Sequence, residues 1–334
     1  MPASSSRRSD VVRLRKLLLI LAAVGVLTLA GGWWLLWAAA GPTSEAKTVI
    51  VAQGASVARV ADQLEREGVI RGGSTTFRLF ARLFGGGDPV QAGEFQIPAG
   101  ASASAVLDHL QHGQPIQRMV TIPEGMPSVL VHERIMALPH MTGEIAVPEE
   151  GSVLPNSYSY RRGETRAALL ARMQAAMAQE LARLWAARGP RTVVTNPREA
   201  VILASIVEKE TGKASERPTI AGVYSNRLRI GMKLDADPTV IYPVTRGRPL
   251  GRRILRSELQ NAHPYNTYAR AGLPIGPIAN PGRDSIAAVL NPGQTNALYF
   301  VADGTGGHIF ADTLEQHNAN VQRWYALRRA RGEM

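Results

Sequence analysis

The feature that most constrains this chain is a run of 24 residues, Leu17 to Ala40, without one charged side chain. As a helix it is long enough to cross a hydrocarbon core of about 30 Å. Arg7, Arg8, Arg13, Arg15 and Lys16 against Asp10 leave a local charge of +4 ahead of it, while Trp33, Trp34 and Trp37 cluster near its far end. The positive-inside rule and the aromatic belt orient it: residues 1–16 form a basic cytoplasmic tail, residues 17–40 a transmembrane helix, and the rest is exported. Ala38 to Ala40 offer small residues to a signal peptidase, but the run exceeds the roughly 7 to 15 apolar residues of a signal-peptide core, which favours a retained anchor.

Beyond the anchor, 334 residues that are 45% hydrophobic suffice for two modest domains. The chain has no cysteine, so disulfides, thiolate nucleophiles and cysteine-held metals are excluded. A net charge of +11 suits an anionic partner. Export argues against nucleic acid as that partner, and no basic face interleaved with aromatics is evident.

A strand, a glycine turn and a helix recur three times, at residues 49–64, 95–110 and 120–135, with Gly54, Gly100 and Gly125 at the same place in each. Glycine is the residue for which φ > 0 is cheap. The first two units, with a helical stretch at Ser74 to Phe84 between them, predict a small α+β module over residues 47–117 that resembles a LysM domain. Residues 118–334 change character: helices rich in Ala, Leu and Arg (Thr165 to Ala187), a long Pro/Gly/Asn-rich stretch (Asp235 to Gly293), a β-hairpin around DGTGG (303–307), and a last helix for which Asp312 is the expected cap. The fold class is therefore α+β, with an N-terminal transmembrane helix, a LysM-like module and a larger α+β domain.

The strongest local signal is TNPREAVILASIVEKETG (195–212). Asn196 reads as N-cap, Pro197 as the first helical residue, Glu199 as the capping-box acid and Gly212 as the stop. Glu208 and Glu210 fall about 200° apart on this helix, so they cannot form a pair on one face. Ser205 and Ala204, one turn before Glu208, suggest room for a ligand beside it, and burial there would make it a useful general acid. A helix-end salt bridge is the competing explanation.

LASIVEKET (203–211), SNRLRIGMKLDADPTVIY (225–242), HPYNTYARAGLPIGPIANPG (263–282) and YFVADGTGGHIF (299–310), in that order, resemble the YceG-like endolytic murein transglycosylases. The resemblance implies a lyase that cuts MurNAc-β-1,4-GlcNAc bonds within peptidoglycan strands and leaves 1,6-anhydroMurNAc ends, with Glu208 as the single acid/base and no cofactor. It further implies an inner-membrane protein with a periplasmic catalytic domain, working on nascent glycan strands beside peptidoglycan synthases. Asn226, Asp237, Thr239, Tyr242, Tyr265, Asn266, Thr267 and Tyr268 match the same motifs and become substrate-binding candidates, although Asp237 before Pro238 also reads as a turn former. Asp235 stands where many of that family carry glutamine, and Asn156 and Ser157 where Asp and Thr are common. His263, His308 and His317 are spaced like no compact metal motif, so no metal site is expected.

Overall fold

The computed structural model describes residues 5–333, with side chains from Arg13 onward. Residues 1–4 of the expected basic tail lie outside the described residues. The fold is α+β, and it divides into two compact units, Met1–Arg118 with Arg161–Gly163 and Met119–Tyr160 with Glu164–Met334.

The first unit opens with α1 (Ser5–Trp33), continued by a π-helical turn, Trp34–Ala38. Over Arg13–Ala38 this helix is long and apolar enough to cross a membrane. β1 (Lys47–Val51), α2 (Val57–Arg66), α3 (Gly73–Phe84), β2 (Gly93–Ile97) and α4 (Ala103–His112) follow. β1 and β2 pair antiparallel, Val49 opposite Phe95, and bury those two residues with Leu64, Phe77, Ile97 and Leu107 in one core that also takes Trp37. Each of the two strand-to-helix turns has its glycine at positive φ, Gly54 at 72° and Gly100 at 67°, and Ser56 and Ser102 then cap the helices by accepting the N–H groups of Arg59 and Ala105.

The second unit repeats that turn once, from β3 (Arg118–Thr121) through Gly125 to α5 (Ser128–Met136), and β3 pairs with β4 (Ser157–Tyr160). Then come α6 (Arg166–Ala186), α7 (Pro197–Glu210), α8 (Arg217–Arg229), α9 (Asp237–Thr245), α10 (Arg256–Gln260), α11 (Arg283–Leu290), the hairpin β5 (Tyr299–Ala302) and β6 (His308–Ala311), and α12 (Leu314–Ala330). α7 is central: every residue from Ala200 to Val207 is buried, among side chains of α6, α8 and α11. Asn196 caps it through the Glu199 N–H, while the Glu199 carboxylate takes the N–H and hydroxyl of Thr195, one residue before the cap. The helix stops at Glu210, ahead of Gly212, because Thr211 is extended. The cap of α12 is Thr313, not Asp312: Thr313 accepts the Gln316 N–H, and the Gln316 side chain returns to the N–H of Thr313 and of Asp312.

Buried Asn280 ties the loop before α11 to the rest of this unit: it accepts the Val153 N–H and donates to Met126 O and Ser128 Oγ. Asn280→Ala leaves those groups unpaired and should cost roughly 1–3 kcal/mol of stability. Thermal unfolding of the full chain in detergent checks it, and an unchanged midpoint would mean the network is dispensable.

Candidate active site

α7 presents its two glutamates to different surroundings. The Glu208 side chain is 5% exposed, and both its oxygens are occupied. Oε2 accepts the Gly282 N–H at 2.9 Å and the Ser285 hydroxyl at 2.7 Å, and Oε1 lies 3.3 Å from the Arg217 guanidinium. Gly282 is the N-cap of α11, so Glu208 places a carboxylate at a helix N-terminus, where the backbone dipoles favour negative charge. Arg217 also pairs with Glu124 at 2.8 Å. The room expected beside Glu208 is absent: Ala204 and Ser205 are fully buried, and Ser205 Oγ is spent on Ile202 O and the Ile278 N–H.

Glu210 lines a cavity of about 640 Å³ walled by α8, α9, the hairpin and α12. Its Oε1 is buried without a hydrogen-bond partner. Burial raises its pKa to about 7; the hydroxyl of Tyr224 opposes the rise by hydrogen bonding, the charge of Asp237 adds to it, and that of Arg227 opposes it. Tyr224, fully buried on α8, is itself pushed well above the usual tyrosine value by burial and by Glu210. Tyr268 donates to Asp237 Oδ1 at 2.6 Å. His317, on α12, stacks on Tyr299 at 5.2 Å, and its Nδ1 is buried without a partner. Burial, with Arg227 nearby, lowers the pKa of His317, so the ring is neutral at neutral pH. Trp324 and Tyr325 add apolar area to the wall.

Of the residues expected to bind substrate, Asp237 and Tyr268 line this cavity with Glu210. Four others brace its loops. Asn226 donates to Thr295 O and Ala297 O, which fixes the approach to β5. Thr239 and Thr267 share a buried hydroxyl contact at 2.9 Å, and Thr267 Oγ1 accepts the Ala236 N–H. Asn266 donates to Glu258 O, Leu259 O and Asn261 O and accepts the Tyr268 N–H, closing the loop that presents Tyr268. Tyr242 and Tyr265 pack together elsewhere, ring centroids 4.8 Å apart, with the Tyr242 hydroxyl on Glu150. Tyr242 lines a separate cavity of about 500 Å³ beside Pro123 and Gly125. Asp235 has φ of 48° and pairs with Arg227 at 3.4 Å. A short Asp tolerates that left-handed backbone better than the longer glutamine.

Tyr224, Tyr299, His317, Trp324 and Tyr325 are the cavity residues that sequence reasoning missed. The available signal was the aromatic content of α8, β5 and α12, which also fits an ordinary core. The chemical capacity of the arrangement is that of a proton-exchanging carboxyl, Glu210, in an open cleft lined by aromatic rings together with Arg227, Asp235, Asp237 and Arg328.

Comparison with known proteins agrees with this architecture. The YceG-like family matches residues 49–323. Endolytic murein transglycosylases of two Streptococcus pneumoniae strains are 27% identical over 323 residues, covering 82% of this chain and 57% of the relative. The chain thus spans little more than half the length of those relatives. The Bacillus subtilis endolytic murein transglycosylase is 25% identical over 315 residues, covering 84% of this chain and 86% of its own. The crystal structure of a Listeria monocytogenes protein described as YceG-like superposes with a TM-score of 0.50 at 25% identity, covering 82% of this chain and 98% of that one.

The raised pKa of Glu210 makes stability depend on pH. The fold favours the protonated carboxyl, so this contribution is complete below the usual 4.5 and is lost as pH rises through about 7. Glu210→Gln removes it. The stability of wild type relative to that variant should fall by up to ~3 kcal/mol between those limits. Unfolding midpoints of both proteins across that range test this; parallel curves would mean Glu210 titrates normally.

Proposed function

The chain belongs to the YceG-like family, and from that premise we propose that it is a membrane-anchored endolytic murein transglycosylase in which Glu210 is the acid/base. The observation that carries the choice of residue is the buried, unpartnered Oε1 of Glu210 in an open cavity, with a pKa raised to about 7. Glu208, the residue the motif first suggests, has both oxygens engaged by the Gly282 N–H, Ser285 and Arg217. It acts as a structural carboxylate that caps α11.

In the proposed reaction the Glu210 carboxyl gives its proton to the glycosidic oxygen as the MurNAc C1–O bond breaks, releasing the GlcNAc 4-hydroxyl. The resulting carboxylate removes the proton of the MurNAc C6 hydroxyl as that oxygen bonds to C1. The product is the 1,6-anhydro sugar, and Glu210 ends protonated as it began. No water is consumed, so the second carboxylate of a hydrolase is unnecessary. Asp237 and Tyr268 face the same space and offer hydrogen bonds to sugar hydroxyls, while Tyr299, Trp324 and Tyr325 offer faces for pyranose rings.

Glu210→Gln keeps shape and removes the exchangeable proton, so release of anhydro-ended fragments from purified glycan strands should fall by about 10²- to 10⁴-fold with the fold intact. Glu208→Gln sets an amide N–H against donors and should instead lower the unfolding midpoint, at a cost of roughly 1–3 kcal/mol, with turnover per folded molecule largely kept. A folded but dead 208 variant beside an active 210 variant would return the acid/base role to Glu208. Reducing MurNAc ends in the mass spectra would replace transglycosylation with hydrolysis.

The same reading keeps residues 1–16 in the cytoplasm. It places the LysM-like module (47–117) and the catalytic domain (118–334) in the periplasm, on nascent strands beside peptidoglycan synthases. Alkaline phosphatase fused after Met334 should be active, and crosslinked membranes should yield a synthase with the enzyme. An inactive fusion removes this topology, and crosslinks lacking any synthase remove the partnership.

A further inference from the structure

α3 carries two apolar faces. Ser74, Phe77 and Ala81 enter the core of the first unit. On the other side Leu79 and Leu83, about 40° apart around the helix, are 54% and 61% exposed, and Phe84 beside them is 55% exposed. Isolated exposed leucines need no explanation, but this stripe runs into the anchor. The ring of Phe84 meets Trp33 edge-on at 5.8 Å, and that of Phe80 meets Trp37 at 5.8 Å. Gly72, which precedes α3, lies so close to Leu36 that a Cβ would stand 2.9 Å from its Cδ2.

Arg78 and Arg82 each sit one residue, about 100°, around the helix from a leucine of the stripe, and both are exposed; Arg78 is turned onto Ser74 O, Thr75 Oγ1 and Asp62. An apolar stripe bordered by arginines, level with tryptophans at the end of a membrane-spanning helix, is the composition of a helix lying in the headgroup layer.

We propose that Leu79, Leu83 and Phe84 form a lipid-contacting surface that seats α3 in the headgroup layer where the anchor emerges, with Arg82 against anionic lipid phosphates. The occupant is the bilayer because the anchor, packed on the same unit through Trp33 and Trp37, brings lipid to this face whatever partner is present. The surface holds the first unit down on the membrane. The proposal rests on the reading of Leu17 to Ala40 as membrane-spanning.

The chain has no cysteine, so Leu83→Cys, Leu21→Cys in the anchor and Gln53→Cys in the β1–α2 turn each provide one labelling site. The full-length protein, labelled with bimane, is reconstituted into phosphatidylethanolamine/phosphatidylglycerol vesicles, with or without brominated acyl chains. The label at 83 should lose most of its emission to brominated lipid and resist aqueous iodide, as the label at 21 does, while the label at 53 does the reverse. A label at 83 that behaves like that at 53, with 21 still quenched by lipid, overturns the surface and leaves the anchor standing. Lack of lipid quenching at 21 would mean the anchor reading has failed and the surface with it. A label at 83 reached by neither quencher would put a protein on the stripe and overturn the proposal equally.

Discussion

The constraint on which the site depends is the burial of α7. A helix whose residues from Ala200 to Val207 all lie inside the protein delivers its last turn, and the charged residues there, into the interior. Each carboxyl must then find donors or give up its charge, because an unpaired buried carboxylate is expensive. Glu208 takes the first course, with a helix N-terminus, a hydroxyl and a guanidinium around it. Glu210 takes the second, with one tyrosine hydroxyl and otherwise burial, so that its proton is held up to about pH 7. Two residues apart in sequence, the glutamates differ because about 200° of helical rotation separates their environments.

Arg227 shows how that state is protected. A guanidinium turned toward Glu210 would restore its charge, yet Arg227 is committed to the carbonyls of Lys233, Leu234 and Leu298 and to Asp235. Its effect on Glu210 is the smallest among the named influences, smaller than that of Asp237 in the opposite sense. The bracing residues serve the same end. The buried pair Thr239 and Thr267 and the many-bonded Asn266 fix the loops that carry Asp237 and Tyr268.

Local periodicity made much of the fold legible in the sequence. The strand, glycine turn and helix units appear where the pattern put them, because a left-handed glycine and a capping serine are decided within a few residues. The hairpin and the core helix were legible for the same reason. The different surroundings of Glu208 and Glu210 were not, because they are set by groups far away in the chain: Gly282 and Ser285 on one side, Tyr224 and α12 on the other. Ser205 and Ala204, small residues that suggested open space, are small because α7 is tightly packed there. Asn226, Thr239, Asn266 and Thr267 read as sugar-binding groups because they are polar and sit in motifs; their hydrogen bonds go to the backbone and to neighbouring side chains.

A carboxyl whose pKa lies near the working pH is suited to a reaction in which one residue both gives and takes a proton. An ordinary glutamate at neutral pH is a ready base and a scarce acid; one held far higher would be a ready acid whose conjugate base is scarce. At about 7 both the acid and the base form are populated at neutral pH, so in the proposed reaction neither role depends on a scarce protonation state. His317 fits the same logic: kept neutral by burial, with Nδ1 free of protein partners, it adds a hydrogen-bonding group to the wall without a positive charge that would pull Glu210 back to its ionised form. The apolar burial that makes α7 stable and the chemistry proposed at its end thus have one physical origin.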